Sequence, residues 1–398
     1  MDSSLVKEKS LQACALLKEL DLDAWIIWVR ETKQMADPAL SLVLGQDVVW
    51  QSALIYTKTG HRVAIVGNFD AAGIEPLDIF DEIIPYTKGI RDTLRQELDK
   101  LNPKRIGLNF SRDDVAADGI SFGMYNLLTE YLEGTPYPER FQSAEPLLTR
   151  LRGRKTPEEL NRIKNAVVVT EKIFEEAQQF IQVGQTELDI YRFFHQCMDV
   201  HGVGFAWGAD HNPAVDAGPN KAFGHAGPTD NKTKAGHLLH FDFGVRYKGY
   251  CSDIQRMFFF GEPKDIPEEI QTAFNTVRDA IQAAAVFIKP GRKGHEVDAI
   301  ARTFVQDHGY EEYQHALGHQ VGQEAHDGGT LLGPLWDRYG TSPEGIIEAG
   351  NVFTLELYVT TENYGQVSLE EDIVVTTKGC SFLSRPQTEL ICLPTKSK

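Results

Sequence analysis

Apolar and polar positions in the first 150 residues switch between two periods. Ser10 to Leu20 carries its apolar residues at helical spacing and predicts an amphipathic helix, as do Arg91 to Leu101 and Ser121 to Leu132. Asp23 to Val29 (DAWIIWV) is a short apolar run that suits a buried strand, and Arg105 to Asn109 is strand-like. Ala53 to Thr57 and Arg62 to Val66 flank Lys58-Thr59-Gly60-His61 and read as a hairpin. The pattern predicts a small α/β domain, in which no His, Cys or carboxylates stand at catalytic spacing. Gly134 to Pro146, rich in Pro and polar residues, marks a boundary. Beyond it, Thr156 reads as a helix cap, with Pro157 at the first helical position, Glu158 and Glu159 in the first turn, and a helix running to about Gln182. Domains over residues 1–150 and 151–398 follow.

The second stretch repeats a pattern. Phe180-Ile181-Gln182-Val183-Gly184, a helical stretch and His201-Gly202 recur as Phe287-Ile288-Lys289-Pro290-Gly291, a helical stretch and His308-Gly309, at a constant offset of 107 residues. Either two unrelated helix–turn–helix units each end in a Gly cap, or the stretch is duplicated, and a duplication predicts two similar halves with a site between them. Eleven of the twelve histidines lie between His195 and His326, which directs the search for chemistry to this region.

Two hairpins there carry acids. In Leu238 to Phe260, Asp242 and Asp253 are equidistant from the Tyr247–Lys248 junction, so an unbulged hairpin sets them opposite one another. Facing like charges need compensation by a metal, an arginine such as Arg256 or a shared proton, unless a bulge slips the register and leaves one Asp solvated. In Asn351 to Thr376, Glu356 and Glu370 are equidistant from Asn363, with Gly365 suited to the turn, so a second acid pair faces across a hairpin, turned either inward or out to solvent. Glu371 and Asp372 read as solvated. His315, His319 and His326-Asp327 lie between the two hairpins in sequence, among glycines that disfavour a long helix, and His225 lies in a glycine-rich loop before the first. Four carboxylates and one imidazole suffice to hold two divalent cations about 3.5–4 Å apart. Such an oxygen-rich set favours Mn²⁺ over a thiolate-type zinc site.

Composition narrows the function. A chain of 398 residues suits two or three domains, and 42% hydrophobic with 24% charged residues is ordinary for a globular protein. Fifty-seven acidic against 40 basic residues, a formal charge of −17, argues against a nucleic acid or an anionic membrane as partner. Five scattered cysteines without a CxxC pair argue against a disulfide framework and for a reducing compartment. With no apolar leader and no run of about 18 apolar residues, a cytoplasmic location is expected.

At these residues the sequence resembles the pita-bread metallopeptidases, in the branch of prolidase, aminopeptidase P and creatinase. The matching segments are Asn212-Pro213-Ala214-Val215-Asp216-Ala217-Gly218-Pro219-Asn220 leading to His225, Asp242-Phe243-Gly244, and Tyr250-Cys251-Ser252-Asp253-Ile254-Gln255-Arg256. Gly318-His319-Gln320-Val321-Gly322 with His326-Asp327, Phe353-Thr354-Leu355-Glu356, and Val367-Ser368-Leu369-Glu370-Glu371-Asp372 complete the set. The resemblance implies an α/β (α+β) fold: a C-terminal pita-bread domain of pseudo-two-fold halves behind a smaller creatinase-like α/β domain. It implies that Asp242, Asp253, His319, Glu356 and Glu370 bind two divalent metals, Mn²⁺ first, with Co²⁺, Zn²⁺ or Fe²⁺ as alternatives. It implies that His225 and His326 contact substrate and the tetrahedral intermediate, that Glu356 exchanges protons with the bridging water, and that the chain forms a homodimer. The activity implied is hydrolysis of the Xaa-Pro bond of small peptides through a metal-bridged hydroxide, by a dipeptidase or an aminopeptidase. The alternatives are a lyase or hydrolase of a small metabolite on the same scaffold and, more remotely, a metal-free binding protein. Two departures touch the Xaa-Pro expectation: Leu357-Tyr358 follow Glu356 where prolidase-like members usually carry Pro-Gly, and Ser368 stands where they usually carry Arg.

Overall fold

The computed structural model describes residues 3–219 and 227–395. The chain divides into two compact units, Met1–Arg152 and Gly153–Lys398.

The first unit contains α1 (Ser3–Glu19), β1 (Ala24–Val29), α2 (Leu40–Val43), β2 (Ser52–Thr57), β3 (Arg62–Gly67), α3 (Asn68–Ile74), β4 (Glu82–Tyr86), α4 (Arg91–Leu101), β5 (Ile106–Leu108), α5 (Phe122–Tyr131), β6 (Phe141–Ser143) and α6 (Glu145–Gly153). Its strands form one mixed sheet in the order β4-β3-β2-β1-β5-β6. The unbroken apolar run of β1 has a physical reason. Trp25, Ile27 and Val29 face a core with Leu16, Leu17 and Leu148, while Ala24, Ile26 and Trp28 face another with Leu94, Leu98 and Leu128. Both faces of the central strand are covered, so neither can be polar. The expected hairpin forms as β2 and β3, antiparallel, with Gly60 at φ +93° in the turn.

The second unit opens with α7 (Pro157–Phe180) and α8 (Glu187–His201). Thr156 caps α7: its hydroxyl accepts from the Glu159 amide at 3.3 Å, and its own amide donates to the Glu159 carboxylate at 2.7 Å. Such a capping box contributes about 1 kcal/mol. The strands β7 (Gly204–Phe205), β8 (Ala214–Ala217), β9 (Leu238–Phe243), β10 (Val245–Tyr247), β11 (Tyr250–Cys251) and β12 (Ile254–Phe260) follow. Next come α9 (Glu268–Phe287), α10 (Gly294–Asp307), β13 (Val352–Thr360), β14 (Gln366–Val375), β15 (Cys380–Phe382) and β16 (Ile391–Leu393). The halves predicted from the repeat are present. α7–α8 and α9–α10 are helical hairpins with Gly184 and Gly291 at φ +92° and +88°, and the glycines after the second helices, Gly202 and Gly309, are also left-handed.

Each half packs its helices on one sheet face. Phe174 and Phe194 meet Phe241, Phe243 and Phe258 in the first half, each full burial being worth roughly 1.5–3 kcal/mol. In the second, Phe274, Val277 and Ile281 meet Leu355, Leu357, Val359, Val367 and Leu369. Because side chains alternate along a strand, Thr354, Glu356, Tyr358, Ser368, Glu370 and Asp372 take the other face. By the same alternation His240 and Asp242 on β9 point away from the core of α7 and α8.

The acid hairpin departs from its expected register. Lys248 and Gly249, at φ +46° and +85°, form a two-residue turn, so the hairpin is centred one residue later than expected. Every pairing moves by two: Asp242 lies opposite Gln255, and Ile254 opposite Phe243. Asp253 is therefore diagonal to Asp242 on the same face. The other hairpin pairs Glu356 directly with Glu370, as its symmetry predicts.

Nothing lies within 4 Å of a Cβ added at Gly249, so only backbone strain opposes a side chain there. Gly249→Ala is expected to lower the unfolding free energy by about 1–2 kcal/mol in urea titration. No measurable loss would contradict the turn assignment.

Candidate active site

The fold draws the hairpin acids and one imidazole together. Residues 317–321 run along the edge of β13: the Thr354 amide donates to the His319 carbonyl at 2.9 Å, and the Glu356 amide to the Leu317 carbonyl at 2.7 Å. Gly318 permits this approach, because a Cβ there would stand 2.0 Å from the Thr354 carbonyl oxygen. His319 is thereby set beside Glu356. Its Nε2 lies 3.5 Å from Glu356 Oε1 and 3.8 Å from Asp253 Oδ2. Ligand atoms of Asp253, His319 and Glu370 all lie within 4.8 Å of one another. Asp242 adds a fourth carboxylate, close enough for its charge to act on Asp253, Glu356 and Glu370.

These acids are crowded, and two of them are buried. Glu370 is 1% exposed and Asp253 5%. Burial, then the charge of Asp242, pushes the Asp253 carboxyl well above its ordinary range. Burial and the charge of Asp253 do the same to Glu370. Burial and Asp242 push Glu356 up to about 8. His319 moves the other way, to about 3, chiefly through burial and then the neighbouring His326. Its Nδ1 lies 3.4 Å from the Gln320 carbonyl, which suits donation there and leaves Nε2 as a lone pair facing the acids.

Two buried oxygens, Asp253 Oδ1 and Glu370 Oε2, have no hydrogen-bond partner among the described residues. Buried carboxylates left so are costly unless a cation or proton meets them. A neutral imidazole, converging carboxylates and bare oxygens are the donor set of a hard or borderline divalent cation.

His326 stands with the cluster, its ring 4.3 Å from that of His319 and nearly perpendicular. With Asp242, Asp253, Trp207 and His211 it lines a cavity of about 420 Å³. The adjacent Asp327 secures this loop: it accepts from Lys155 Nζ at 3.1 Å and from the Glu324 amide at 3.3 Å. His225 lies outside the described residues. His315 sits apart on the Tyr313 and Tyr358 rings, and burial holds its imidazole down to about 4.

Glu371 and Asp372 are not solvated; they are 2% and 0% exposed. Arg256 forks onto Glu371 with two 3.0 Å contacts, so it compensates that acid rather than Asp242 or Asp253. Asp372 Oδ2 accepts the Asp253 amide at 3.0 Å and fixes that residue from behind. Strand alternation from Glu370 was the signal for Asp372. Gln255, whose Nε2 donates to Glu356 Oε2 at 3.2 Å, was legible in the same way from Asp253. The two departures, Tyr358 and Ser368, are direct cross-strand partners beside the glutamates. In the first unit, tertiary folding brings His61, Glu82 and Glu97 together, but Lys100 already supplies a cation, 2.9 Å from Glu82 and 3.3 Å from Glu97.

Residues 161–377 match the profile of metallopeptidase family M24. The chain belongs to that family. A curated relative, an uncharacterized peptidase of Staphylococcus aureus strain USA300, is 27% identical over 335 residues, which cover 83% of this M24 chain and 87% of the relative. An X-Pro aminopeptidase structure from Thermotoga maritima MSB8 superimposes with TM-score 0.72 at 24% identity, covering 97% of this chain and 99% of that one. A Xaa-Pro dipeptidase structure from Bacillus anthracis does so with TM-score 0.75 at 23% identity, covering 97% and 100%. The pita-bread fold of the M24 peptidases is thus the fold of this chain, and family M24 is metal-dependent. Among the described residues no helix is long and apolar enough to cross a membrane, and none of the five cysteines is in a disulfide.

The raised carboxyls predict a sign for stability against pH. Glu356 titrates near 8 when folded and near 4.5 when unfolded, so as pH rises the unfolded chain loses its proton first. Its contribution is complete below about pH 4.5 and is lost as pH rises through 8. Protein stripped by chelator should therefore melt at progressively lower temperature from pH 5 to 8.5, and less steeply as Glu356→Gln. A stripped protein that gains stability across this window in a Glu356-dependent way would contradict the electrostatics.

Proposed function

We propose that this M24 chain is a dinuclear-metal peptidase that hydrolyses the Xaa-Pro bond of small peptides. Asp242, Asp253, His319, Glu356 and Glu370 are read as the ligands of two divalent cations, Mn²⁺ in the first instance because oxygen donors predominate. The observation that carries the reading is the crowded cluster of carboxylates around a neutral His319, with buried oxygens of Asp253 and Glu370 that no donor among the described residues meets. Support for the substrate class comes from the X-Pro aminopeptidase and Xaa-Pro dipeptidase that share the fold. The homodimer implied by the resemblance belongs to the same proposal, as does a cytoplasmic location, which unpaired cysteines suit.

When bound, such cations polarise a peptide carbonyl and make water a nucleophile near neutral pH. The chain's own groups do the rest. Glu356, whose Oε1 lies 3.5 Å from His319 Nε2 within the cluster, is assigned to take a proton from attacking water and return it to the leaving amine. His326 is assigned donation to the substrate carbonyl as charge builds on its oxygen, a role its exposure at the cavity wall supports. His225 is assigned the same kind of contact from the resemblance. The Trp207 face gives the cavity an apolar wall against which a small ring can pack.

The test is hydrolysis of Xaa-Pro dipeptides and Xaa-Pro-Yaa tripeptides by Mn²⁺-loaded protein, with chelated protein as control. Metal-dependent cleavage is expected, and the length preference separates dipeptidase from aminopeptidase. Asp253→Ala should lose more than about a hundredfold in turnover, since a ligand matters more than the 10–100-fold of an outer partner. A metal-loaded protein that cleaves neither substrate would overturn the Xaa-Pro reading in favour of a small-metabolite enzyme.

A further inference from the structure

Behind Glu356 lies a buried polar chain that none of the roles above uses. Asp216, His240, Gln255 and Ser368 are 3%, 3%, 7% and 3% exposed. Asp216 Oδ2 lies 2.9 Å from His240 Nδ1, and His240 Nε2 lies 3.0 Å from Gln255 Oε1. The Ser368 hydroxyl donates to the same Gln255 oxygen at 2.5 Å. The Gln255 Nε2 donates to Glu356 Oε2 at 3.2 Å.

The chain has one sensible polarity. A Glu356 serving as a metal ligand is ionised and only accepts, so the amide nitrogen, 3.2 Å from its Oε2, faces it. The amide oxygen then takes the Ser368 hydroxyl proton on its other side, where His240 Nε2 also lies, 3.0 Å away. Reversing the amide would set its oxygen against the carboxylate. Asp216, on the far ring nitrogen, fixes the imidazole plane.

A glutamate free at its last torsion presents either oxygen to a cation, or both. Here Oε2 is engaged by Gln255, and Oε1 is the atom 3.5 Å from His319 Nε2, toward the cluster. We propose that Gln255, oriented by Ser368 and by the His240–Asp216 pair, is a positioning residue that ties one oxygen of Glu356 so that the other alone serves the metal pair. Glu356 thus enters the site in one orientation, and metal affinity depends on residues that touch no metal. The inference rests on the reading of Glu356 as a ligand.

The test titrates Co²⁺ into full-length protein stripped by chelator, reading the visible absorption bands and competition with a chelator. Gln255→Met, of similar shape without the donor, is expected to bind Co²⁺ roughly 10–100-fold more weakly and to shift the bands. The double variant Asp216→Ala/His240→Phe, which strands neither charge, should move both readouts in the same direction. Ser368→Ala should weaken binding less, and Ser368→Thr, which keeps the hydroxyl, should restore it. If Gln255→Met does not fold, the Ser368 pair decides. Wild-type affinity and unchanged bands in the variants would overturn the proposal. Wild-type protein that takes up no Co²⁺ would instead defeat the ligand reading beneath it.

Discussion

Like charges buried at short range have to be met by something positive. Asp242, Asp253, Glu356 and Glu370 converge in a partly buried cluster, and the charge of Asp242 raises the cost of ionising the other three. Among the described residues, the neighbouring arginine and lysine are already committed. Arg256 forks onto Glu371, and Lys155 pairs with Asp327. The imidazole inside the cluster, His319, is held neutral by burial. A divalent cation resolves this conflict, and the family to which the chain belongs is metal-dependent.

The second unit can be understood as the frame that holds this conflict in place. Two helical hairpins of matching geometry each cover one face of a sheet. The opposite faces, freed from packing on helices, carry the polar positions of β9, β12, β13 and β14. Near the other end of those faces, Leu238, Met257 and Phe259 join the core of the second half, so the acids sit where an apolar interface gives way to a polar one. Outer contacts then fix the donors: Asp372 on the Asp253 amide, the Gln320 carbonyl on His319, and Gln255 on Glu356.

Period and symmetry made much of this legible in the amino-acid sequence. Glu356 and Glu370 could be paired because their hairpin is symmetric about Asn363. The helical repeat could be read because its glycines recur at a fixed offset and take the same left-handed conformation. What escaped depends on detail that composition does not encode. The turn at Lys248-Gly249 shifts the first hairpin by one residue at its centre, which turns a facing pair of aspartates into a diagonal one. Glu371 and Asp372 looked solvated because a run of three acids usually is. Arg256, which pairs with Glu371, and the Asp253 amide, which meets Asp372, lie more than a hundred residues away. The cluster of His61, Glu82 and Glu97 was invisible for the same reason.

Metal stoichiometry tests the account most directly. Chelator-stripped protein is dialysed against excess Mn²⁺, then against metal-free buffer, and metal and protein are measured by elemental and amino-acid analysis. Close to two Mn²⁺ per chain is predicted. One would contradict the dinuclear site, and none would contradict the claim that these acids converge in order to bind cations.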